Sequence, residues 1–168
     1  MGRLAAAGTQ MPELRTERLR LIPLSKAHAE EYAAFMPAEE ARRETAESEA
    51  HWSAHAFGPW AVLERERFVG FAEVHHAGKG IGGIDPDEVE AGWVIAEEER
   101  GRGLATEAMR AAIADAWSRA GVDHVVAYIR PENVISLRVA EKLGFSLRGP
   151  GRARSGDPVG VYELRNDG

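Results

Sequence analysis

The chain has 168 residues, with 27 Asp and Glu against 21 Lys and Arg for a formal net charge of −6, and no cysteine. That length suits one domain with its own core, and the acidic balance argues against a broad nucleic-acid surface while tolerating a local basic pocket and a cationic substrate. The missing cysteine excludes disulfides, thiolate metal sites and sulfur redox chemistry.

No apolar run approaches the about 20 residues that span a bilayer, and the opening MGRLAAAGTQ lacks a signal-peptide core. A soluble cytoplasmic protein is expected, with residues 1–11 a loose N-terminus and residues 12–168 a single domain. The stretch LRTERLRLIPL alternates apolar and charged residues, with Leu14, Leu19 and Leu21 on shared faces, which predicts a half-buried first strand. Ser25 is placed as a helix cap. Residues 26–43 then predict one helix or two short ones, with Tyr32, Phe35 and Met36 on one face and an interruption at Pro37. A further helical piece, ETAESEAHWSAHAF, stops before Gly58 and Pro59.

The period then changes. PWAVLERE and RFVGFAEVHH read as a β-hairpin turning at Glu66 and Arg67, and HHAGKGIGGIDPDE as a glycine-rich loop. VEAGWVIAEE is a third strand of this section. LATEAMRAAIADAWSRAG is the clearest helix, with Ala105, Ala108, Ala112 and Ala116 beside Met109, Ile113 and Trp117, ending at Gly121. HVVAYIR is a buried type of strand, NVISLRVAEKLGF a helix stopped by Gly144, and SLRGPGRARSGDPVGVYEL two closing strands around a loop. No repeat, linker or low-complexity tract divides the chain. The order predicts a mixed α/β (α+β) sheet flanked by helices.

Between the third of these strands and the long helix stands EERGRGLATEAM, in which Arg100, Gly101, Arg102, Gly103, Leu104 and Ala105 lead into the helix. Three arrangements compete here. The glycines can simply turn strand into helix, with the arginines in solvent. They can form a dinucleotide turn, but Thr106 occupies the third glycine position and Asp123 precedes the following strand instead of ending it. Or they can form an anion cradle, in which glycine lets the backbone approach and the free N–H groups of a first helical turn point at phosphate. Arg100 and Arg102 suit an anion; Glu97, Glu98 and Glu99 suit it only as a solvated turn.

These residues resemble a known family. R-x-x-G-x-A over residues 100–105 is similar to the acyl-CoA pyrophosphate motif of the GNAT superfamily of N-acetyltransferases. The likeness extends to N-x-x-S-x-x-x-x-E-K-x-G-F over residues 133–145 and to T-E-R-L-R-L over residues 16–21. Together they resemble the RimJ/RimL-type branch, across residues 14–165 and in the same order.

The resemblance implies a GNAT fold: a mixed, mostly antiparallel sheet of six to seven strands, flanked by helices, with two splayed parallel strands forming the acyl-CoA cleft. It implies direct acetyl transfer from acetyl-CoA to a primary amine, a peptide N-terminus or a small molecule, in a ternary complex, and a homodimer. No metal, nucleic acid or membrane is implied. The backbone of Val94 and Ile95 is expected to pair with the pantetheine arm, the N–H groups of Arg100, Gly101, Arg102, Gly103, Leu104, Ala105 and Thr106 to hold the pyrophosphate, and Asn133 and Ser136 to contact the far side of the pantetheine. Asn133 fits equally well as the N-cap of its helix.

The chain departs from the pattern at Ala140, where many members carry a tyrosine acid. Ser136 is then the candidate to donate to the departing sulfur, or is a helix-surface serine; a thiol of pKa near 8.5 leaves tolerably near neutrality in any case. Glu90 is the candidate base if the family's strand bulge is present, or is a solvated edge residue. An α-amine is about 10 % or more neutral at pH 7 and a lysine-like amine about 0.04 %, so the first needs far less help. A catalytically weak acyl-CoA-binding module is the alternative.

Among other groups, His75 and His76 follow a strand and lie near the expected acceptor cleft or on the surface. His51 and His55 have the i, i+4 spacing of two metal ligands, but without a third ligand no metal site is expected. Arg138, Lys142, Arg148, Arg152 and Arg154 form a basic stretch that suits nucleotide phosphates or solvent. Residues 26–57 and 149–159 are placed to select the acceptor, and the loop at residues 78–83 either bends over it or is simply flexible.

Overall fold

Leu14 pairs with Leu21 and Arg15 with Arg20, so the first expected strand is two: β1 (Leu14–Arg15) and β2 (Arg20–Pro23), an antiparallel hairpin. Thr16 holds the turn. Its N–H donates to the Leu19 carbonyl at 2.9 Å and its hydroxyl accepts from the Leu19 N–H at 3.0 Å. The computed structural model describes residues 11–168, so the loose terminus expected over residues 1–11 lies outside the described residues except for Met11.

Ser25 caps as expected. Its hydroxyl accepts from the Ala27 N–H at 3.3 Å while its own N–H donates to His28 Nδ1 at 3.0 Å, a capping box around one 3-10 turn, Lys26–His28. The chain continues through the single turn of α1 (Ala29–Tyr32), and after Pro37 enters α2 (Ala38–His55). The two pieces expected on either side of residue 43 are one helix, because Ala, Glu and Arg carry high helix propensity straight across that point.

The hairpin follows as β3 (Trp60–Glu64) and β4 (Arg67–His76), its two turn residues, Arg65 and Glu66, both left-handed at φ 50° and 63°. Then come β5 (Val89–Ile95), α3 (Leu104–Ala120), β6 (His124–Ile129), α4 (Val134–Leu143), β7 (Ser146–Arg152) and β8 (Pro158–Arg165). Gly121 and Gly144 end the two helices at φ 68° and 94°, as their positions predict.

The eight strands form one sheet in the order β1-β2-β3-β4-β5-β6-β8-β7, more than the six to seven expected because the first is split. Every neighbouring pair is antiparallel except β5 and β6, which are parallel and joined by one register pair, Glu90 with Val126. From that pair the two strands part.

On one face, Ala108, Met109, Ala112, Ile113 and Ala116 of α3 pack on Val62, Val74, Ala91 and Val125. Alanine at three of those positions brings the helix close to the sheet. Met109 is fully buried, worth about 1.5–3 kcal/mol. The other face carries Leu24, Tyr32, Ala41, Ala61 and Phe71 at one end and Ile81, Ile84, Val126 and Val161 at the other. Glu90 lies between these two apolar groups. Among the described residues no helix is long and apolar enough to cross a membrane.

Candidate active site

α3 begins without a side-chain cap. Its N-cap is Gly103, at φ 79°, two residues after Gly101 at the same φ, in the left-handed region that disfavours any Cβ. A Cβ on Gly101 would meet nothing within 4 Å, and one on Gly103 only Arg18 Nη2 at 3.6 Å. The turn therefore needs glycine for its conformation, and the space in front of it is open. The N–H groups of Leu104, Ala105 and Thr106 open the helix without intrahelical acceptors.

Onto this turn opens a cavity of about 480 Å³, walled by Val94, Ile95, Arg100, Gly101, Gly103, Leu104, Ala105 and Thr106, and across from them by Asn133, Ser136, Arg138 and Lys142. Arg102 is the expected residue that does not line it. Its guanidinium turns away to Glu64 and Glu99, each at 2.7 Å. The charge expected from Arg102 is thus spent within the protein. Glu99 in turn departs from the solvated run expected: it is 8 % exposed, between Arg67 and Arg102, while Glu97 and Glu98 stay exposed. Its carboxylate is offset before it can oppose an anion.

The T-E-R-L-R-L stretch supports the same turn from about 90 residues away. Thr16 donates its hydroxyl to Glu107 Oε2 at 2.6 Å, the Arg18 N–H donates to the same oxygen at 3.0 Å, and Arg18 Nε reaches Glu107 Oε1 at 2.8 Å. Arg18 Nη1 also donates to the Arg102 carbonyl at 2.9 Å. One arginine ties the glycine turn to the first turn of α3.

Beyond Glu90, β5 has no strand pairing on its β6 side, leaving backbone groups near Val94 open to the cavity; one lone pair of the Ile95 carbonyl is taken by Arg100 Nε at 3.1 Å. Asn133 is the N-cap of α4, its Oδ1 accepting from the Ser136 N–H at 3.2 Å, and it lines the cavity as well. Ser136 lines the cavity too. Ala140 is 1 % exposed in the core, so nothing from that position reaches the cleft.

The basic stretch divides. Arg138 and Lys142 line this cavity, but Arg148 is bound to Glu88 at 2.6 Å and to the Gly83 carbonyl at 2.7 Å, and Arg152 to the Gly156 carbonyl at 3.0 Å. Arg154 lies on the other side of the sheet, donating to the carbonyls of Ala77 at 2.6 Å and Lys79 at 3.0 Å. The glycine loop is pinned by these arginines and by the mutual Gly82 and Arg152 backbone bonds of 2.8 and 3.0 Å. It is an anchored wall.

That other side holds a second cavity, of about 820 Å³, between α2 and the sheet. Glu40, Glu44, Glu47, Glu73 and Glu90 line it against Arg43 and Arg154, with His51, His75 and His76 at one end. Its field favours a cation. Tyr32 donates between two carboxylates, Glu44 Oε2 at 3.0 Å and Glu73 Oε1 at 3.3 Å; burial pushes the Glu44 carboxyl upward, and burial and those two neighbours push the Tyr32 hydroxyl strongly upward. Gly92 makes room for this group, since a Cβ there would lie 2.9 Å from Glu73 Oε2.

Between the two lies a third cavity of about 440 Å³, in the gap where β5 and β6 part. It shares Trp93, Val94, Asn133 and Ser136 with the first and Glu73, Glu90, Tyr128 and Arg154 with the second. Glu90 lines both the second cavity and the third. That residue is 7 % exposed, not a solvated edge, and burial raises its carboxyl to about 7, with Glu73 adding to the rise and His75 and Arg154 opposing it. His75 Nε2 stands 4.0 Å from both Glu90 Oε2 and Glu73 Oε2. The bulge considered for β5 is absent against β4, where seven pairs run from Gly70 with Ile95 to His76 with Val89 without a shift; the register shift of β4 falls instead against β3. Glu90 reaches the junction because the strands splay beside it.

Tyr128, Glu73 and Tyr32 join these cavities without a local sequence signal for it. Tyr128 sits on β6 at the gap, its hydroxyl raised by burial and then by Glu90. Alternation along HVVAYIR puts Tyr128 on the same face as Val126, which pairs with Glu90, but only the β5 and β6 register reveals that. His76 joins His51 and His55, the third ligand type that local spacing did not supply. Burial lowers His51 to about 4 and also lowers His76.

Comparison with known proteins agrees with this architecture. Residues 18–146 match a family model described as an acetyltransferase (GNAT) domain. A protein assigned to the GNAT-family acetyltransferases of Bordetella pertussis is 30 % identical, with 90 % of this chain and 98 % of that one covered and a TM-score of 0.81. An acetyltransferase from Agrobacterium tumefaciens is 26 % identical over 98 % of this chain and 100 % of that one, at a TM-score of 0.79. Mycobacterium smegmatis RimJ, solved with CoA-disulfide, shares the fold at 16 % identity, covering 89 % and 82 % of the two chains with a TM-score of 0.68. The chain is an acyltransferase and belongs to the GNAT acetyltransferase family.

Proposed function

We propose that the chain transfers an acetyl group directly from acetyl-CoA to a primary amine, a peptide N-terminus or a small molecule, through the gap between β5 and β6. The observation that carries this is a series of three cavities that share lining residues: one at an uncapped helix N-terminus, one in the gap between β5 and β6, and a carboxylate-rich chamber that shares Glu90 with the gap.

On the donor side, the N–H groups over residues 100–106 bind the pyrophosphate, helped by the positive end of α3 and by Arg138 and Lys142. The unpaired backbone edge at Val94 and Ile95 takes the pantetheine arm as an added strand, with Asn133 and Ser136 opposite. On the acceptor side, the carboxylates draw in an ammonium ion. Near pH 7 a fraction of Glu90 is ionised, and it accepts the amine's proton directly or through water. The neutral amine nitrogen bonds to the acetyl carbon, the carbon–sulfur bond breaks, and Ser136 donates a hydrogen bond to the sulfur that leaves with the electron pair; of the two protons the ammonium gives up, Glu90 takes one and the thiolate or solvent water the other. Ala140 supplies no acid, and a thiol of ordinary pKa needs little help. A cytoplasmic homodimer is part of the same proposal.

Thiol release from acetyl-CoA over a panel of N-terminal peptides, polyamines and amino sugars tests the reaction. Amine-dependent thiol release supports it. Tight acetyl-CoA binding with no acetylated product across the panel favours a catalytically weak acyl-CoA-binding module instead.

A further inference from the structure

His51 and His55 lie one turn apart at the end of α2, and His76 ends β4 beside them, each offering one ligand atom within 4.8 Å of the others. The ring centroids of His55 stand 4.5 Å from those of both His51 and His76. His51 Nδ1 lies 2.8 Å from the Phe57 carbonyl, which fixes the proton on Nδ1 and leaves the Nε2 lone pair facing the cluster, the arrangement found behind metal-bound imidazoles. Across from it, His51 Nε2 and His76 Nδ1 approach to 3.1 Å. Two ring nitrogens at that distance either share a proton or share an ion. The His76 N–H also points at His51 Nε2 from 3.1 Å, the hydrogen bond that an ion would displace.

We propose that His51, His55 and His76 bind one divalent d-block cation of the zinc type, with three imidazole nitrogens as ligands and water in the fourth position. An all-imidazole set suits zinc, cobalt, nickel or copper and disfavours magnesium and calcium. His55 is exposed and gives the ion its entry, while His51 and His76 line the acceptor cavity. The ion therefore sits at the cavity rim and ties the end of α2 to the end of β4. The other candidate trio, Glu88, His124 and Glu163, differs in kind. Arg148 already bridges its two carboxylates, at 2.6 and 3.4 Å, and Asp123 holds His124 at 2.6 Å. A guanidinium fills the place of a metal there, and among the described residues no arginine or lysine is paired with the three histidines.

The test is a Co2+ titration of the untagged full chain followed by visible absorption, then displacement with Zn2+. One equivalent should bind with the bands of imidazole-ligated cobalt and be displaced by one equivalent of zinc, and zinc should raise Tm. Loss of a supporting partner behind a ligand costs 10–100-fold in affinity, so His55→Gln, a change at an exposed position, should weaken binding by at least about 100-fold. It should also abolish the rise in Tm, as should His76→Gln. His124→Gln should bind as the wild type does. Absence of saturable cobalt or zinc uptake by the wild type, or equal affinity in His55→Gln, overturns the site.

Discussion

Arg18 and Glu107, 89 positions apart, are joined at 2.8 Å, and the same guanidinium holds the Arg102 carbonyl at 2.9 Å. Arg18 is thus a positioning residue for the glycine turn. Arg18→Ala should raise the KM for acetyl-CoA several-fold and change kcat little, because it touches the cradle's support and not the reacting atoms. Steady-state kinetics at saturating amine check this, and Arg18→Lys should recover only part, since one ammonium cannot reach both partners. A fall in kcat alone would place Arg18 elsewhere in the reaction.

Gly103 at φ 79° has room for a side chain but not the conformation for one. Gly103→Ala should cost about 1 kcal/mol of stability, read by urea denaturation. Gly103→Val, stiffer and bulkier, should also raise the KM for acetyl-CoA steeply. A folded valine variant with unchanged KM contradicts the cradle.

Glu90 links stability and activity to pH with opposite signs. Its carboxyl lies near 7 against an ordinary 4.5, so folding favours the protonated form. That contribution is complete below about pH 4.5 and is lost as pH rises through 7, up to about 3 kcal/mol. Glu90→Gln removes it, and the variant's stability relative to wild type should improve between about pH 5 and pH 8.5. Activity should run the other way: wild-type kcat/KM should rise with an apparent pKa near 7, and Glu90→Gln should lose that limb and most of kcat for high-pKa amines. A wild-type profile kept in the variant excludes Glu90 as the base.

Asn133 and Ser136 separate by substitution. Asn133→Asp keeps a capping oxygen for the Ser136 N–H, whereas Asn133→Ala should cost about 1 kcal/mol. Loss of acetyl-CoA affinity in both variants marks a direct contact; loss in alanine alone marks the cap. Ser136→Ala should lower kcat by about 10-fold, the loss of roughly 1.4 kcal/mol from one hydrogen bond to a developing charge. Full activity would retire that role.

Local features carried most of the fold. Alanine spacing in α3, the glycines at residues 121 and 144, and the alternation of β4 and β5 are all written in short stretches, so these elements appear where the periodicity puts them. The first strand split because Thr16 satisfies its own turn, an interaction that alternation does not register. The cavity at the start of α3 was legible because glycine conformation and helix starts are local properties. The cavity between α2 and the sheet was not: Glu73, Tyr128, Tyr32 and His76 meet only through sheet register and the packing of α2. Arg102 and Glu99 depart from their local expectation for the same reason, their partners Glu64 and Arg67 being on the β3 and β4 hairpin.

The most direct measurement is a crystal structure of the full chain with acetyl-CoA. The pyrophosphate should lie on the N–H groups of residues 100–106, the pantetheine along Val94, and the thioester in the gap beside Glu90, facing the acidic cavity. Acetyl-CoA bound elsewhere, or a thioester pointing away from that gap, would contradict the proposed transfer.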